Sequence, residues 1–140
     1  MTWIISKQFR FEAAHYLPYH DGQCARLHGH SWVGYVYLLG ESLIQDGAKQ
    51  GMVMDFSDVK KYLKPLIDEK LDHYYLNETT GLESPTSENI ARYVYDQLKP
   101  NLSNLVGVRI DETCTSSCMY APEFKPSYLS CFSSDALSMG

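Results

Sequence analysis

Residues 27–39 read LHGHSWVGYVYLL, and their alternation decides the fold class. Successive side chains of a strand point to opposite faces, so residues two apart share a face. The segment therefore predicts a strand over about residues 30–39 that is apolar on both faces and should be covered on both. One face carries His28, His30, Trp32, Val36 and Leu38, and the other carries Val33, Tyr35, Tyr37 and Leu39.

Three more segments predict strands, at residues 3–15, 105–114 and 117–120. Between them, one helix is predicted to begin at Ser57. Pro65 should either kink this helix or mark where one turn gives way to another, because proline removes a backbone donor. A second helix should begin at Pro85 and Thr86 and end before Pro100. Its predicted inner face carries Ile90, Tyr93, Val94, Gln97 and Leu98.

The order ββααββ predicts an α+β fold: a four-stranded antiparallel sheet with two helices on one face. The other face then needs a partner, and self-association would supply one. Residues 1–120 should form a single domain, whereas residues 121–140 lack a period and are rich in serine, as expected of an irregular tail.

Composition narrows the possible partners. The net charge is -5, and no basic face predicts binding to nucleic acid or to an anionic membrane. No apolar run reaches 18 residues, and the run before Lys7 is too short for a signal peptide. We therefore expect a cytoplasmic protein whose four cysteines are reduced thiols.

A catalytic zinc site is the strongest functional indication. His28 and His30 leave the same face of one strand, and His15 ends the apolar face of the preceding strand. Three imidazole donors without a fourth protein ligand are typical of catalytic zinc, because one position stays open for water or substrate. Cys24 lies four residues before His28, and a nearby zinc ion or imidazole would lower its pKa towards that of a working base. As a lone residue, however, such a thiol is more often inert.

Two further polar sites allow two interpretations each. Asp72 and His73 are adjacent between the helices, where they can act as orienter and base or simply end a helix. Glu112 continues the apolar row of its strand. It needs a cationic or hydrogen-bonding partner if it is buried, or else it lies at an exposed strand end.

Taken together, the motifs resemble the 6-pyruvoyltetrahydropterin synthase superfamily, and more closely its bacterial branch, which makes 6-carboxy-5,6,7,8-tetrahydropterin for queuosine biosynthesis. The short spacing from Cys24 to His28 indicates this branch. The similarity covers residues 8–120 and includes FEAAHYLP (11–18), CARLHGH (24–30), GMVMDFSDVK (51–60), LDHYYLNE (71–78), GLESPTSE (81–88) and ETCTSSCMY (112–120).

The resemblance implies a tunnelling fold, in which trimers close their sheets into a barrel and pair as a homohexamer. It implies a lyase that converts 7,8-dihydroneopterin triphosphate to 6-carboxy-5,6,7,8-tetrahydropterin, releasing acetaldehyde and triphosphate. The implied zinc ligands are His15, His28 and His30, and the implied catalytic residues are Cys24 as the base, Asp72 and His73 as a proton relay, and Glu112, which also binds the pterin ring.

Three alternatives remain open from the sequence. The first is a 6-pyruvoyltetrahydropterin synthase, which differs in its product. The second is a non-enzymatic assembly module stabilised by zinc, which would leave Cys24, Asp72, His73 and Glu112 without a role. The third is an aldolase acting on dihydroneopterin, which would not need the three histidines.

Overall fold

The computed structural model describes residues 1–22 and 25–132. Its strands are β1 (Trp3–His15), β2 (His28–Gly40), β3 (Tyr74–Tyr75), β4 (Leu105–Thr113) and β5 (Ser116–Tyr120). Its α-helices are α1 (Phe56–Leu66), α2 (Leu76–Thr79) and α3 (Ser87–Leu98). A π-helical turn (Ile67–Leu71) continues α1, and a 3₁₀ helix (Pro126–Cys131) follows β5. No helix in the described part of the chain is long and apolar enough to cross a membrane.

The sheet has five strands in the order β3-β1-β2-β4-β5. The four predicted strands form its antiparallel body, which confirms the α+β class. The strand count was wrong by one, because β3 adds two residues parallel to the end of β1. So short a strand leaves no alternation to detect, and it is held by non-local bonds such as His73 N–H to the Glu12 carbonyl, 2.6 Å.

The helices differ from the prediction in two details. Asp55, rather than Ser57, caps α1, since the Asp55 carboxylate accepts the Ser57 N–H at 2.9 Å. Both residue types are good caps, and the sequence does not rank them. The second predicted helix, α3, begins at Ser87 with Thr86 as its N-cap, close to the predicted start at Pro85 and Thr86. On this helix Gln97 is exposed, while Ala91 and Tyr95 join the buried face. The apolar face of α3 is thus rotated from the predicted one.

The core lies between one face of the sheet and the helices. Phe9, Phe11 and Trp32 from β1 and β2 are buried there, as their alternation predicts. The Phe9 ring packs directly over Gly34, where a Cβ atom would lie 2.1 Å from the ring. The remaining core side chains come from both helices and from the central strands: Val36, Leu38, Val59, Leu63, Ile90, Val94, Leu98, Leu105, Val108 and Ile110.

The opposite face of the sheet is only partly covered. Tyr37 is buried on this face, where its ring contacts Phe132 edge-on at 5.6 Å between centroids. Tyr128 of the 3₁₀ helix is also buried. The segment predicted as an irregular tail therefore includes one helical turn before residue 133, and residues 133–140 lie outside the described part of the chain.

Candidate active site

Three histidines converge at one end of the β1–β2 pair. His15 lies directly opposite His28 in the antiparallel register, and His30 lies two residues further along β2. The two Nε2 atoms of His15 and His28 are 2.9 Å apart. One ligand atom from each histidine and one from Glu112 all lie within 4.8 Å of one another. The predicted face-sharing of these four residues is therefore present in the fold.

Backbone carbonyls fix the tautomers of two rings. His15 Nδ1 lies 2.9 Å from the Pro85 carbonyl, and His28 Nδ1 lies 2.5 Å from the Arg26 carbonyl. A carbonyl only accepts, so both Nδ1 atoms must carry the proton and both Nε2 atoms must carry a lone pair when the rings are neutral. The two Nε2 lone pairs then face one another at 2.9 Å, which is repulsive unless a cation or a proton is shared.

Burial disfavours a shared proton at this position. His15 is fully buried, and desolvation lowers its pKa below the ordinary value. Desolvation also lowers the pKa of His30. Neutral rings are therefore favoured at neutral pH, and a metal cation would satisfy their lone pairs where a proton is disfavoured. The residues fit a metal site.

His30 gives a second sign of the same kind. Its Nε2 atom is buried and makes no hydrogen bond of acceptable geometry, although the Glu112 Oε1 atom lies 2.9 Å away. The distance alone does not make a hydrogen bond, since the angles also count. Buried polar atoms normally have a partner. A ligand at this point would supply it.

Glu112 is held from the other side by Ser87. The Ser87 hydroxyl donates to Glu112 Oε2 at 3.0 Å, and Ser87 is itself buried at the start of α3. The structure favours the interpretation in which Glu112 has a hydrogen-bonding partner within the fold, here Ser87. The Glu112 side chain nevertheless keeps about a quarter (26%) of its surface exposed. One carboxylate edge therefore remains available to a ligand.

The Trp32 side chain packs against two of the three histidines. Its ring lies edge-on to those of His15 and His30, with centroids 5.0 and 5.2 Å away. Its indole N–H donates to the Ala13 carbonyl at 3.1 Å, which fixes the ring. Trp32 lies on the face that the alternation of its strand predicts, whereas no sequence pattern indicates a role for Ser87 or for the Pro85 carbonyl. Neither carries a sequence signal, because each acts through a contact distant in sequence.

Asp72 and His73 form a pair, as one of the two interpretations predicts. His73 Nδ1 lies 2.9 Å from Asp72 Oδ2, while Asp72 Oδ1 accepts the Glu12 N–H at 2.8 Å. These hydrogen bonds, first that from Glu12, lower the pKa of the Asp72 carboxyl. His73 has a left-handed backbone (φ 67°), and its side chain is 79% exposed. Asp72 thus orients a solvent-facing imidazole.

His73 lines a groove that is also lined by His30 of the candidate metal site. The groove has a volume of about 510 Å³, and His30 contributes to it from β2. Its other lining residues come from the ends of β1, β2 and β3: Glu12, Ala13, Ala14, Gly29, Ser31, Tyr74 and Tyr75. Cys24, the predicted base, lies outside the described residues. Its role therefore stays a prediction.

Comparison with known proteins gives a consistent picture. A 6-carboxy-5,6,7,8-tetrahydropterin synthase of Synechocystis sp. is 52% identical over 89% of this chain and 98% of its own length. The enzyme of the same name from Haemophilus influenzae is 36% identical over 83% and 96%. The solved 6-pyruvoyl tetrahydropterin synthase of Caenorhabditis elegans superposes with a TM-score of 0.75 at 30% identity, covering 88% of this chain and 97% of that one.

The family assignment rests on most of the chain. The sequence profile of 6-pyruvoyl tetrahydropterin synthase matches residues 4–123, which include the five strands and three α-helices of the described residues except for Trp3 at the start of β1. The histidine group, Glu112 and the Asp72–His73 pair all lie within that range. The chain belongs to the 6-pyruvoyl tetrahydropterin synthase family.

Proposed function

We propose that the protein is a zinc-dependent lyase, a 6-carboxy-5,6,7,8-tetrahydropterin synthase of queuosine (7-deazaguanine) biosynthesis. Its substrates would be 7,8-dihydroneopterin triphosphate and one water molecule, and its products 6-carboxy-5,6,7,8-tetrahydropterin, acetaldehyde and triphosphate. The observation that carries the proposal is the 52% identity with the Synechocystis enzyme over nearly its whole length. The relatives compared above are enzymes, which argues against a purely structural zinc module.

His15, His28 and His30 would hold the zinc ion. Support comes from the facing Nε2 atoms of His15 and His28 and from the unpaired, buried Nε2 atom of His30. Three neutral nitrogen donors are a ligand set of catalytic zinc sites. When bound, the zinc ion would supply a Lewis acid that makes the hydroxyls of the substrate side chain more acidic.

Glu112 would anchor the pterin ring. Its Oε2 atom already accepts the Ser87 hydroxyl, but each carboxylate oxygen has two lone pairs, so acceptor capacity remains. A pterin presents adjacent N–H groups, which a carboxylate can accept as a bidentate pair. The ring would then lie next to His30, whose Nε2 atom is 2.9 Å from Glu112 Oε1.

The proton transfers would use Cys24, Asp72 and His73. We infer that the Cys24 thiolate abstracts a proton from a carbon of the substrate side chain, which is the role that the family resemblance implies for this residue. His73, oriented by Asp72, would return or remove protons from the groove that it shares with His30. Asp72 supports this role by keeping a proton on His73 Nδ1 and leaving Nε2 free.

The assembly would be a homohexamer, a dimer of trimers, in the cytoplasm. Among the described residues, β5 pairs only with β4, and β1 before Ala13 pairs only with β2, so the sheet has two open edges. Joining the β1 edge of one copy to the β5 edge of the next would satisfy these backbone groups and close a barrel. The partly covered face that carries Tyr37 would line its interior.

Product analysis tests the proposed reaction. The zinc-loaded protein, given 7,8-dihydroneopterin triphosphate, should release acetaldehyde and 6-carboxy-5,6,7,8-tetrahydropterin in equal amounts. Acetaldehyde can be followed by coupled reduction and the pterin by chromatography with mass detection. A 6-pyruvoyltetrahydropterin product without acetaldehyde would instead support the second candidate, 6-pyruvoyltetrahydropterin synthase, which the similarity to the Caenorhabditis elegans structure favours.

The Cys24→Ala variant tests whether Cys24 acts as a general base or as a zinc ligand. We expect its zinc content to stay near one ion per chain while turnover falls by about 10²–10⁴-fold, the usual effect of losing a general base. Zinc is measured by elemental analysis, and turnover by acetaldehyde release. Cys131→Ala is a suitable control, because its thiol donates to the Thr2 carbonyl at 3.5 Å and, among the described residues, does not belong to the histidine group. Loss of zinc together with turnover would make Cys24 a ligand instead.

A further inference from the structure

The carboxamide of Asn77 joins two segments of chain that meet at the candidate metal centre. Asn77 Oδ1 accepts the Tyr16 N–H at 2.9 Å, and Asn77 Nδ2 donates to the Tyr16 carbonyl at 2.7 Å. The same Nδ2 atom also lies 3.3 Å from the Glu83 carbonyl. One orientation of the amide satisfies all three contacts, since Tyr16 N–H needs an acceptor and both carbonyls need a donor.

The first of these segments carries a proposed ligand. His15 is the last residue of β1, paired with His28, the first residue of β2. Tyr16 follows immediately, where the sheet no longer provides a partner in β2 for its backbone groups. Asn77 takes the place of that partner by bonding both polar groups of Tyr16, much as a neighbouring strand would. The end of β1 is therefore held from a one-turn helix, α2.

The second segment carries the carbonyl that orients the ligand. Pro85, two residues after Glu83, accepts a hydrogen bond from His15 Nδ1 at 2.9 Å. That bond fixes the tautomer and the rotation of the ring, so it decides where the Nε2 lone pair points. Asn77 thus ties the backbone next to the ligand to the backbone next to its orienting carbonyl. One side chain therefore bonds to the residue after His15 and to the residue two before Pro85, on both sides of the His15–Pro85 bond.

We propose that Asn77 is a positioning residue for the metal centre, acting through Tyr16 and the 83–85 segment on the direction of the His15 Nε2 lone pair. The inference rests on the proposed function, in that His15 must ligate a metal. The inference goes beyond the proposed function, because it assigns control of the ligand geometry to a residue outside the candidate metal site. Outer partners that orient a metal-binding histidine typically contribute 10–100-fold to affinity.

Metal affinity measured without turnover tests this role. We expect Asn77→Ala to bind Zn²⁺ about 10–100-fold more weakly than the unsubstituted protein in a competitive chelator titration. The visible absorption of the Co²⁺-loaded variant should also change, because those bands report ligand geometry. Asn77→Asp is the second variant: its carboxylate can accept the Tyr16 N–H but cannot donate to either carbonyl, so its affinity should fall at least as far.

Asn104→Ala is the matched control. Asn104 also donates its amide to a backbone carbonyl, that of Leu39 at 3.3 Å, but at the end of β2 away from His28 and His30. Its Zn²⁺ affinity and Co²⁺ spectrum should match those of the unsubstituted protein. A thermal melt of each metal-free protein shows whether the fold persists, and if Asn77→Ala does not fold, the comparison rests on Asn77→Asp.

The possible outcomes distinguish failure of the positioning role of Asn77 from failure of the proposed zinc enzyme. If both Asn77 variants fold and bind Zn²⁺ with unchanged affinity and an unchanged Co²⁺ spectrum, the positioning role is wrong and the proposed function stands. Equal loss of affinity in Asn104→Ala would likewise overturn it, since the effect would then follow general destabilisation. If the unsubstituted protein binds no metal, both the inference and the proposed zinc enzyme fail.

Discussion

Replacing His28 with alanine is expected to remove zinc from the protein and to reduce turnover by at least about 100-fold. The loss should exceed the 10–100-fold range for an outer partner, because a ligand is lost rather than its orientation. His28 is the most suitable of the three proposed ligands to remove. It is partly exposed, and its substitution leaves the bond between His15 and Pro85 intact, so the fold should persist.

The control for this variant is His20→Ala. His20 is an exposed histidine in the loop after β1, and its Nδ1 atom accepts a hydrogen bond from the Gly22 N–H at 2.9 Å. Zinc content by elemental analysis should be near one ion per chain in His20→Ala and near zero in His28→Ala after mild dialysis. Full zinc occupancy in His28→Ala would exclude this residue from the ligand set.

Replacing His73 with glycine is expected to abolish turnover and to give a more stable protein than replacing it with alanine. The left-handed backbone at residue 73 costs a residue with a Cβ atom about 1–2 kcal/mol, whereas glycine adopts it freely. His73→Gly should therefore unfold with a free energy about 1 kcal/mol higher than that of His73→Ala, measured by urea denaturation. Both variants should lose about 10²–10⁴-fold in turnover, because both lack the imidazole.

The same pair of substitutions at Lys60 gives the opposite order. Lys60 is exposed in the middle of α1, where glycine is about 1 kcal/mol less favourable than alanine. Lys60→Gly should therefore be less stable than Lys60→Ala, and both should keep full turnover. Equal stability of the two His73 variants would show that the backbone there is not strained, and normal turnover would remove His73 from the proton relay.

The strain at His73 is maintained by contacts that a motif cannot display. Its N–H donates to the Glu12 carbonyl at 2.6 Å, and Asp72 binds both the Glu12 N–H and the His73 ring. These bonds hold the residue against its backbone preference, as is common at functional sites. Adjacency in the sequence suggested an orienter and a base, whereas the conformation that makes the pair possible comes from β1.

The sequence predicted the structure correctly wherever the hydrophobic pattern is periodic. Alternation predicted the three long strands, the shared face of His15, His28 and His30, and the continuation of an apolar row to Glu112. The missing backbone donor of Pro65 predicted a change in the helix, and α1 passes into a π-helical turn directly after Leu66. Periodicity works because a strand or helix repeats its geometry locally.

Prediction from the sequence was weaker for features that do not repeat along the chain and that depend on contacts distant in sequence. The cap at Asp55, the inner face of α3, the two-residue strand β3 and the turn within the tail were each misjudged or missed. Competing cap residues lie side by side in the sequence, and a helix can rotate by a fraction of a turn to improve its packing. Neither choice is made by local propensity alone.

The amino-acid sequence by itself determined the ligand types, the faces of the strands and the family, because these depend on residue identity and on spacing along the chain. Only the tertiary structure decided which atoms of those residues are free to act. The Pro85 and Arg26 carbonyls select the histidine tautomers, Ser87 holds Glu112, and Asn77 fixes the end of β1. Hydrogen bonds between distant segments form only after folding brings their donors and acceptors together, so no spacing in the sequence can specify them.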